Sequence, residues 1–371
     1  MSIKMGMVGG GAGSFIGQVH RWASGLDSNI ELVAGCFSSN PEKSLKLANE
    51  YKVKRAYSSY KEMFEAEKNL PENEKIDFVS VVTPTGKHFE VIMCALDYGF
   101  NVVSDKPLCI TEEEAQQIYD KVKETGAEFC ITHNYTGYPC AKAAKNIIKN
   151  GEIGDVIKVV VEYPEGWLMG LSDNDFKTAW RFDPSKGNSL TMADIGCHAA
   201  HLAEYITGMR IKDVCADFQY VLCPPLEDDS NVLLKFDNGV KGVLWSASCL
   251  AGELNALNIR VYGRKGFLCW NQEEPNTLIV KYLEGPDHIL RPGDGTLGKY
   301  SQSFVRLPGG HPEGFIEAFG NIYKEFAKTL EAKKNGNEYI GDYPKIEDAL
   351  HMVKFINRTI ESNKLQKWME I

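Results

Sequence analysis

The feature that most constrains this chain lies at its start. A mostly apolar run over residues 3–8 breaks into Gly9-Gly10-Gly11-Ala12-Gly13 and resumes as a helical pattern over 15–24. Glycines between a strand and a helix let the backbone approach a pyrophosphate and aim the helix N-terminal N–H groups at it. Taken alone, the same residues also fit a plain tight turn. What strengthens the first reading is the beat that follows. Strands are predicted at 31–37, 77–82, 102–104 and 128–132, with helices at 42–51 and 91–98 between them. Pro41 stands at a first helical position, and Thr111 with Glu114 three residues on forms a capping box. Alternating strands and helices of this kind build a parallel sheet covered by helices.

The beat stops near residues 139–150. Beyond it, strands predicted at 156–163, 214–221, 232–236, 242–248, 259–262 and 278–282 follow one another with few helices, which points to a mostly antiparallel sheet. A long helix is expected over 313–332, where Phe315, Phe319, Ile322, Phe326 and Leu330 form one apolar stripe, and a last helix over 345–362. With 371 residues the chain exceeds the roughly 250–300 that one core usually supports. Two domains are therefore expected. The first is 1–137, an α/β domain that binds a dinucleotide on its parallel sheet. The second is 138–371, an α+β domain with a large, mostly antiparallel open sheet for substrate binding and oligomerisation, its C-terminal helix able to turn back onto the first.

Charge and cysteines narrow the partners. Lys and Arg number 41 against 50 Asp and Glu, a formal net charge of −9, which disfavours a nucleic-acid partner. No stretch approaches the ~18 consecutive apolar residues of a membrane span. The first residues run straight into a strand, without the layout of a signal peptide. Ten cysteines are scattered without a C-x-x-C pair, so no zinc-ribbon or redox motif is read, no metal is expected, and reduced thiols in a cytoplasmic protein are.

Several residues carry potential chemistry. Ligands of such sheets collect where strands end, and two loops fall there: Thr83-Pro84-Thr85-Gly86-Lys87-His88 and Asp105-Lys106-Pro107. Pro107 biases Lys106 towards an extended backbone, from which its ammonium can point into a crevice. At the end of the second strand, where an Asp or Glu would select NAD, the chain has Ser38-Ser39-Asn40 and then Lys43. Small hydroxyls and a lysine leave room for a ribose phosphate, which tilts the reading to NADP, although a plain helix cap by Ser39 or Asn40 explains the same residues. Farther on, Asp194 and His198 share a face if helical, the arrangement of a carboxylate orienting a general base. A helix-start carboxylate beside a packed histidine, or a metal site completed by His201, are the competing readings.

In this order the glycine turn, Thr83-Pro84…His88, Asp105-Lys106-Pro107, Trp180-Arg181 and Asp194…His198 resemble the Gfo/Idh/MocA family, the glucose–fructose oxidoreductase and inositol dehydrogenase group. The resemblance spans nearly the whole chain. It implies a Rossmann domain followed by an α/β domain, NAD or NADP as cofactor, and a sugar, cyclitol or related polyol as substrate. The family's catalytic lysine, acidic partner and base carry over to Lys106, Asp194 and His198. Its cofactor contacts fall on Gly9, Gly11, Gly13, Ser14, Phe15, Ile16, Ser38, Ser39, Lys43, Thr83, Pro84, His88, Asp105, Asn134, Trp180 and Arg181. Tyr135 and Trp167 join Lys106, Asp194 and His198 as expected substrate contacts. A homodimer or homotetramer is implied as well. Three departures stand out: Asp replaces the usual Glu before Lys106, Gly187-Asn188-Ser189-Leu190 replaces a glycine run, and 133–138 replaces a more basic sequence. A redox-neutral glycosidase or epimerase with tightly bound NAD, and a cofactor-sensing regulator, are the alternative functions on this fold.

Overall fold

In the computed structural model, residues 2–178, 180–184 and 187–371 are described. The polypeptide divides into two compact units. The first comprises residues 1–134 and 316–350; the second comprises 135–315 and 351–371.

The first unit is built on a six-stranded parallel sheet in the order β3-β2-β1-β4-β5-β6. Its strands are β1 (Ile3–Gly9), β2 (Ile30–Cys36), β3 (Arg55–Ala56), β4 (Phe78–Val82), β5 (Asn101–Ser104) and β6 (Phe129–Ile131). Every residue of β4 is buried, as a parallel strand covered on both faces requires. Helix α1 (Phe15–Gly25) follows the glycine turn, capped by Ser14, whose side chain accepts from the Gly17 N–H. The capping box at Thr111 and Glu114 is formed and starts the helix Glu112–Thr125. Sequence periodicity did not reveal β3, because two residues are too few to show a period, or the helix Tyr60–Lys68, whose buried face is Met63 and Phe64 followed by the charged Glu67.

The long helix Phe315–Lys334 carries the predicted stripe, and from Ile316 onward it belongs to the first unit. Phe326 meets Phe78 of β4 edge to face at 5.3 Å, and Phe319 meets His20 of α1 at 4.8 Å. The chain thus re-enters the first unit late, since that sheet offers the apolar surface the stripe has to bury. A contiguous second domain over 138–371 does not describe this path.

The second unit holds a nine-stranded sheet ordered β14-β13-β12-β11-β7-β10-β9-β8-β15. Its strands are β7 (Val156–Pro164), β8 (Ile211–Gln219), β9 (Asp229–Phe236), β10 (Lys241–Ala247), β11 (Asn258–Gly263), β12 (Gly266–Asn271), β13 (Leu278–Tyr282), β14 (His288–Leu290) and β15 (Met369–Glu370). Among the described residues of this sheet, only β7 and β10 pair in parallel; its other strand pairs are antiparallel. Buried and less buried residues alternate along β8 and β9, so one face is covered and the other open.

Candidate active site

The glycine turn of the first unit closes against two strand ends. Gly9 has φ +87°, and a Cβ there would stand 2.4 Å from the Val82 carbonyl oxygen; a Cβ on Gly11 would stand 2.3 Å from that of Phe37. Gly13 faces open space. The third glycine of close helix–strand approach is Gly17, whose Cβ would lie 2.3 Å from the Gly10 Cα. In the usual G-x-G-x-x-G spacing counted from Gly9 that place falls on Ser14. Ile16 turns its side chain into the apolar cluster around Met7, Phe37 and Leu47, while Phe15 is 71% exposed. Arg21, absent from the sequence reading, donates to the Gly10 carbonyl at 2.6 Å and lies 3.9 Å over the Tyr51 ring.

After β2, Asn40 rather than Ser39 caps the helix Pro41–Glu50, accepting from the Lys43 N–H at 2.9 Å. Ser38 accepts from the Asn40 N–H at 3.2 Å. Ser39 and Lys43 are exposed. Between Cys36 and Lys43 the only carboxylate is Glu42, in the first helical turn.

The two loops at the ends of β4 and β5 are tied together by His88. Its Nε2 lies 2.7 Å from the Thr83 carbonyl oxygen and its Nδ1 2.9 Å from that of Pro107. The ring is buried, so His88 braces backbone and points no polar atom outward. Burial lowers its pKa, opposed by Asp105 and by the carbonyls it faces. Asp105 accepts from Thr132 Oγ1 at 2.9 Å and stands 3.6 Å from His20 Nε2. Burial works against its ionisation, but His20, Lys106 and His88 outweigh that and hold its carboxyl at about 2. His20 Nδ1 in turn lies 2.6 Å from the Tyr323 hydroxyl. Lys106, joined to Pro107 by a cis peptide, is partly exposed beside this buried network. Pro84 is exposed.

Among the polar atoms of the first unit that are buried without a hydrogen-bond partner are Thr83 Oγ1, just after β4, and Asn134 Nδ2, just after β6. Unsatisfied buried groups of this kind call for a ligand or ordered water. Together with the open glycine turn, they fit a dinucleotide whose pyrophosphate sits at the start of α1.

In the second unit, Met192–Gly196 is a π-helical turn that continues as the helix Cys197–Thr207. Such turns occur frequently at functional sites. Asp194 and His198 lie on this continuous segment, as their spacing predicted. Arg181 Nη1 donates to Asp194 Oδ2 at 3.0 Å. His198 is 6% exposed, and the Tyr135 ring meets it edge to face at 4.9 Å. The Tyr135 hydroxyl bonds the Tyr163 hydroxyl, which donates to Asn255 Oδ1 at 2.6 Å; burial pushes the Tyr135 pKa up. Tyr135 therefore presents its ring to His198 and keeps its hydroxyl inside. Trp167 stacks on Phe182 at 6.0 Å. The side chain of Trp180 lies outside the described residues. His201, one turn beyond His198, is held neutral: burial, then the positive charge of Arg210, brings its pKa down to about 3. Among the described residues no group of three or more His, Cys, Asp and Glu is arranged to hold a metal ion.

Residues 3–133 match the oxidoreductase family with an NAD-binding Rossmann fold, and residues 141–269 match the GFO/IDH/MocA C-terminal domain. The chain belongs to the Gfo/Idh/MocA family of oxidoreductases. It is 30% identical to the uncharacterized oxidoreductase YfiI of Bacillus subtilis, covering 99% of this chain and 96% of that one. An inositol dehydrogenase homolog from Azotobacter vinelandii, solved with NAD+, superposes with a TM-score of 0.94 at 31% identity, covering 100% and 98%. A second structure of an inositol dehydrogenase homolog from that organism holds NADH and myo-inositol (TM-score 0.93, 32% identity, covering 100% and 98%). Levoglucosan dehydrogenase of Pseudarthrobacter phenanthrenivorans is 23% identical over 100% of this chain and 98% of its own. Both matched regions agree with the two sheets seen here, one parallel and one mostly antiparallel.

Proposed function

We propose that this oxidoreductase moves a hydride between a secondary hydroxyl of a sugar, cyclitol or related polyol and a nicotinamide cofactor. The observation that carries the reading is the buried His198, one turn after Asp194 on a helical segment with a π-helical start. A bound nicotinamide supplies the hydride acceptor or donor. Everything else is asked of the chain. His198 takes the proton of the reacting hydroxyl as general base. Lys106, carried by the first unit, supplies an ammonium that stabilises developing negative charge. Asp194, itself held by Arg181, orients and charge-balances the imidazole.

The glycine turn, Thr83 and Asn134 hold the cofactor directly, whereas His88 and Asp105 act by fixing the loops that present Thr83 and Lys106. Because no carboxylate stands at Ser38 or Ser39, and Lys43 is exposed nearby, the site takes NADP as well as NAD, with the tilt towards NADP. Relatives described with inositol and levoglucosan support the polyol class. The ten free thiols suit a reducing, cytoplasmic compartment.

A homodimer or dimer of dimers follows from the open sheet face. Strand register aligns Leu233, Val243, Val160, Arg260, Cys269, Ile279 and Ile289 in one row across the sheet. Six of these seven are apolar, and Leu233 and Ile289 are about half exposed. A stripe of that kind is what a second copy covers.

The test is a panel of cyclitols and sugars offered with NAD and with NADP, followed by the absorbance of reduced nicotinamide. His198→Ala is expected to slow single-turnover hydride transfer by roughly 10²–10⁴ while cofactor affinity stays unchanged. Wild-type transfer in that variant would place the base elsewhere. Reduced cofactor released in step with substrate separates net oxidation from redox-neutral epimerase or glycosidase chemistry.

A further inference from the structure

A helix leaves the N–H groups of its first turn without intrahelical partners. The segment that carries Asp194 and His198 begins at such a turn, and nothing in the usual capping position serves it: the residue before Met192–Gly196 makes no side-chain cap bond. Four successive N–H groups are met in another way. Leu190 N donates to Glu227 Oε2 at 3.3 Å, Thr191 N to the Glu227 carbonyl oxygen at 3.3 Å, and Met192 N to Glu227 Oε1 at 2.9 Å. Ala193 N donates to Ser189 Oγ at 3.1 Å, and Ser189 Oγ donates to Glu227 Oε1. One residue, 35 positions away from Met192 in sequence, therefore serves the whole first turn, directly or through Ser189.

Among the described residues, the hydrogen bonds of the Glu227 carboxylate all go to this turn and to Ser189 beside it. Glu227 is 2% exposed, and a carboxylate placed that deep is costly unless its oxygens are satisfied. Burial raises its pKa while the Ser189, Met192 and Leu190 donors oppose the rise. Its own backbone is fixed by the next residue. Asp228, fully buried, accepts from the N–H groups of Val221 at 2.8 Å, Leu222, and Cys223 at 3.1 Å. Asp228 also accepts on its carbonyl from Ser248 N at 2.8 Å. Glu227 thus stands on a rigid post at the start of β9. On the catalytic side, Asp194 N donates to the Leu190 carbonyl at 3.0 Å, so a shift at Leu190 moves Asp194 with it.

We infer that Glu227 is a positioning residue for Asp194 and His198: its carboxylate is the remote cap that holds the first turn of their helix, with Ser189 as its relay. The inference rests on the functional reading above, since it assigns Glu227 to the same proton-handling pair. Glu227 itself touches neither substrate nor cofactor.

The experiment uses the full chain with NAD bound and compares wild type with Glu227→Ala, Glu227→Gln and Ser189→Ala. Amide hydrogen exchange, read by mass spectrometry, is the first readout. In Glu227→Ala, amides over 190–198 should exchange at least about tenfold faster, while those of β9 and β10 stay within about twofold. Glu227→Gln keeps one acceptor oxygen and should restore most of the protection. Ser189→Ala, a lighter change that keeps the fold should Glu227→Ala not, should give a smaller rise confined to the same segment. The second readout is turnover of myo-inositol with NAD: kcat should fall about tenfold in Glu227→Ala and recover in Glu227→Gln, with KM and NAD affinity unchanged. Unchanged exchange over 190–198, or a rise spread equally through β9 and β10, overturns the assignment, as does a Glu227→Gln variant no better than Glu227→Ala. Exchange decides on Glu227 whether or not turnover is seen. Absence of NAD and NADP reduction by wild type across the whole polyol panel counts against the dehydrogenase reading alone.

Discussion

Replacing Asp105 by Asn removes a charge but little volume, and its cost can be worked from the site. The folded protein holds this carboxyl at about 2, against about 3.9 in an unfolded chain. At 1.36 kcal/mol per unit, the native state prefers the ionised form by about 2–3 kcal/mol. Since the folded-state pKa is the depressed one, that contribution is complete above the unfolded value and disappears as pH falls from about 4 towards 2. Asn at this position still offers Thr132 Oγ1 an oxygen but leaves His20 without its carboxylate. Urea unfolding followed by circular dichroism at pH 7 should therefore show Asp105→Asn destabilised by about 2–3 kcal/mol. The gap to wild type should close progressively on acidification below pH 4. A double-mutant cycle with His20→Gln should assign a large part of the loss to the pair. A variant within about 0.5 kcal/mol of wild type at pH 7, or one whose deficit is the same at pH 7 and pH 3, refutes the reasoning. Because Lys106 is the next residue, a second consequence is a lower kcat in the variant, measured beside the melts.

The remaining predictions probe the two sheets separately. Gly17→Ala places a Cβ 2.3 Å from the Gly10 Cα and should weaken NAD and NADP binding and lower stability by about 1–3 kcal/mol. Gly25→Ala, at the end of the same helix with nothing within 4 Å, should raise stability by about 0.5–1 kcal/mol; similar effects at the two positions, in melts and cofactor titrations, would refute the close-approach argument. Ser38→Asp should shift preference from NADP towards NAD by repelling the ribose phosphate, and titrations in which wild type binds NAD far more tightly than NADP would sink that idea. Leu233→Arg, at one end of the open sheet row, should reduce a dimer to monomers by light scattering at micromolar concentration, and a monomeric wild type would remove the premise.

Much of this protein was legible one residue at a time. Local rules need only neighbours along the chain, so the strand, glycine turn and helix at residues 3–25, the capping box at Thr111, and the apolar stripe from Phe315 to Leu330 all came through. The placement of Lys106 just after a strand and of Asp194 and His198 on one helical segment was legible in the same way, while the chemistry at these residues rests on the proposal above. Short or aperiodic pieces did not come through: β3 has two residues, β14 three, and neither shows a period. Tertiary structure decided the rest, because it alone brings distant residues within bonding range. It returned the 316–350 segment to the first unit, since Phe78 and His20 offered the surface its aromatic stripe needed. It made Gly17, rather than the residue at the expected spacing, the point of closest approach to the glycine turn. It turned His88 and Asp105 inward as braces, and it set Glu227 under a helix start 35 residues away. Buried polar groups must find partners wherever the fold puts them, and no local pattern records which partner that will be.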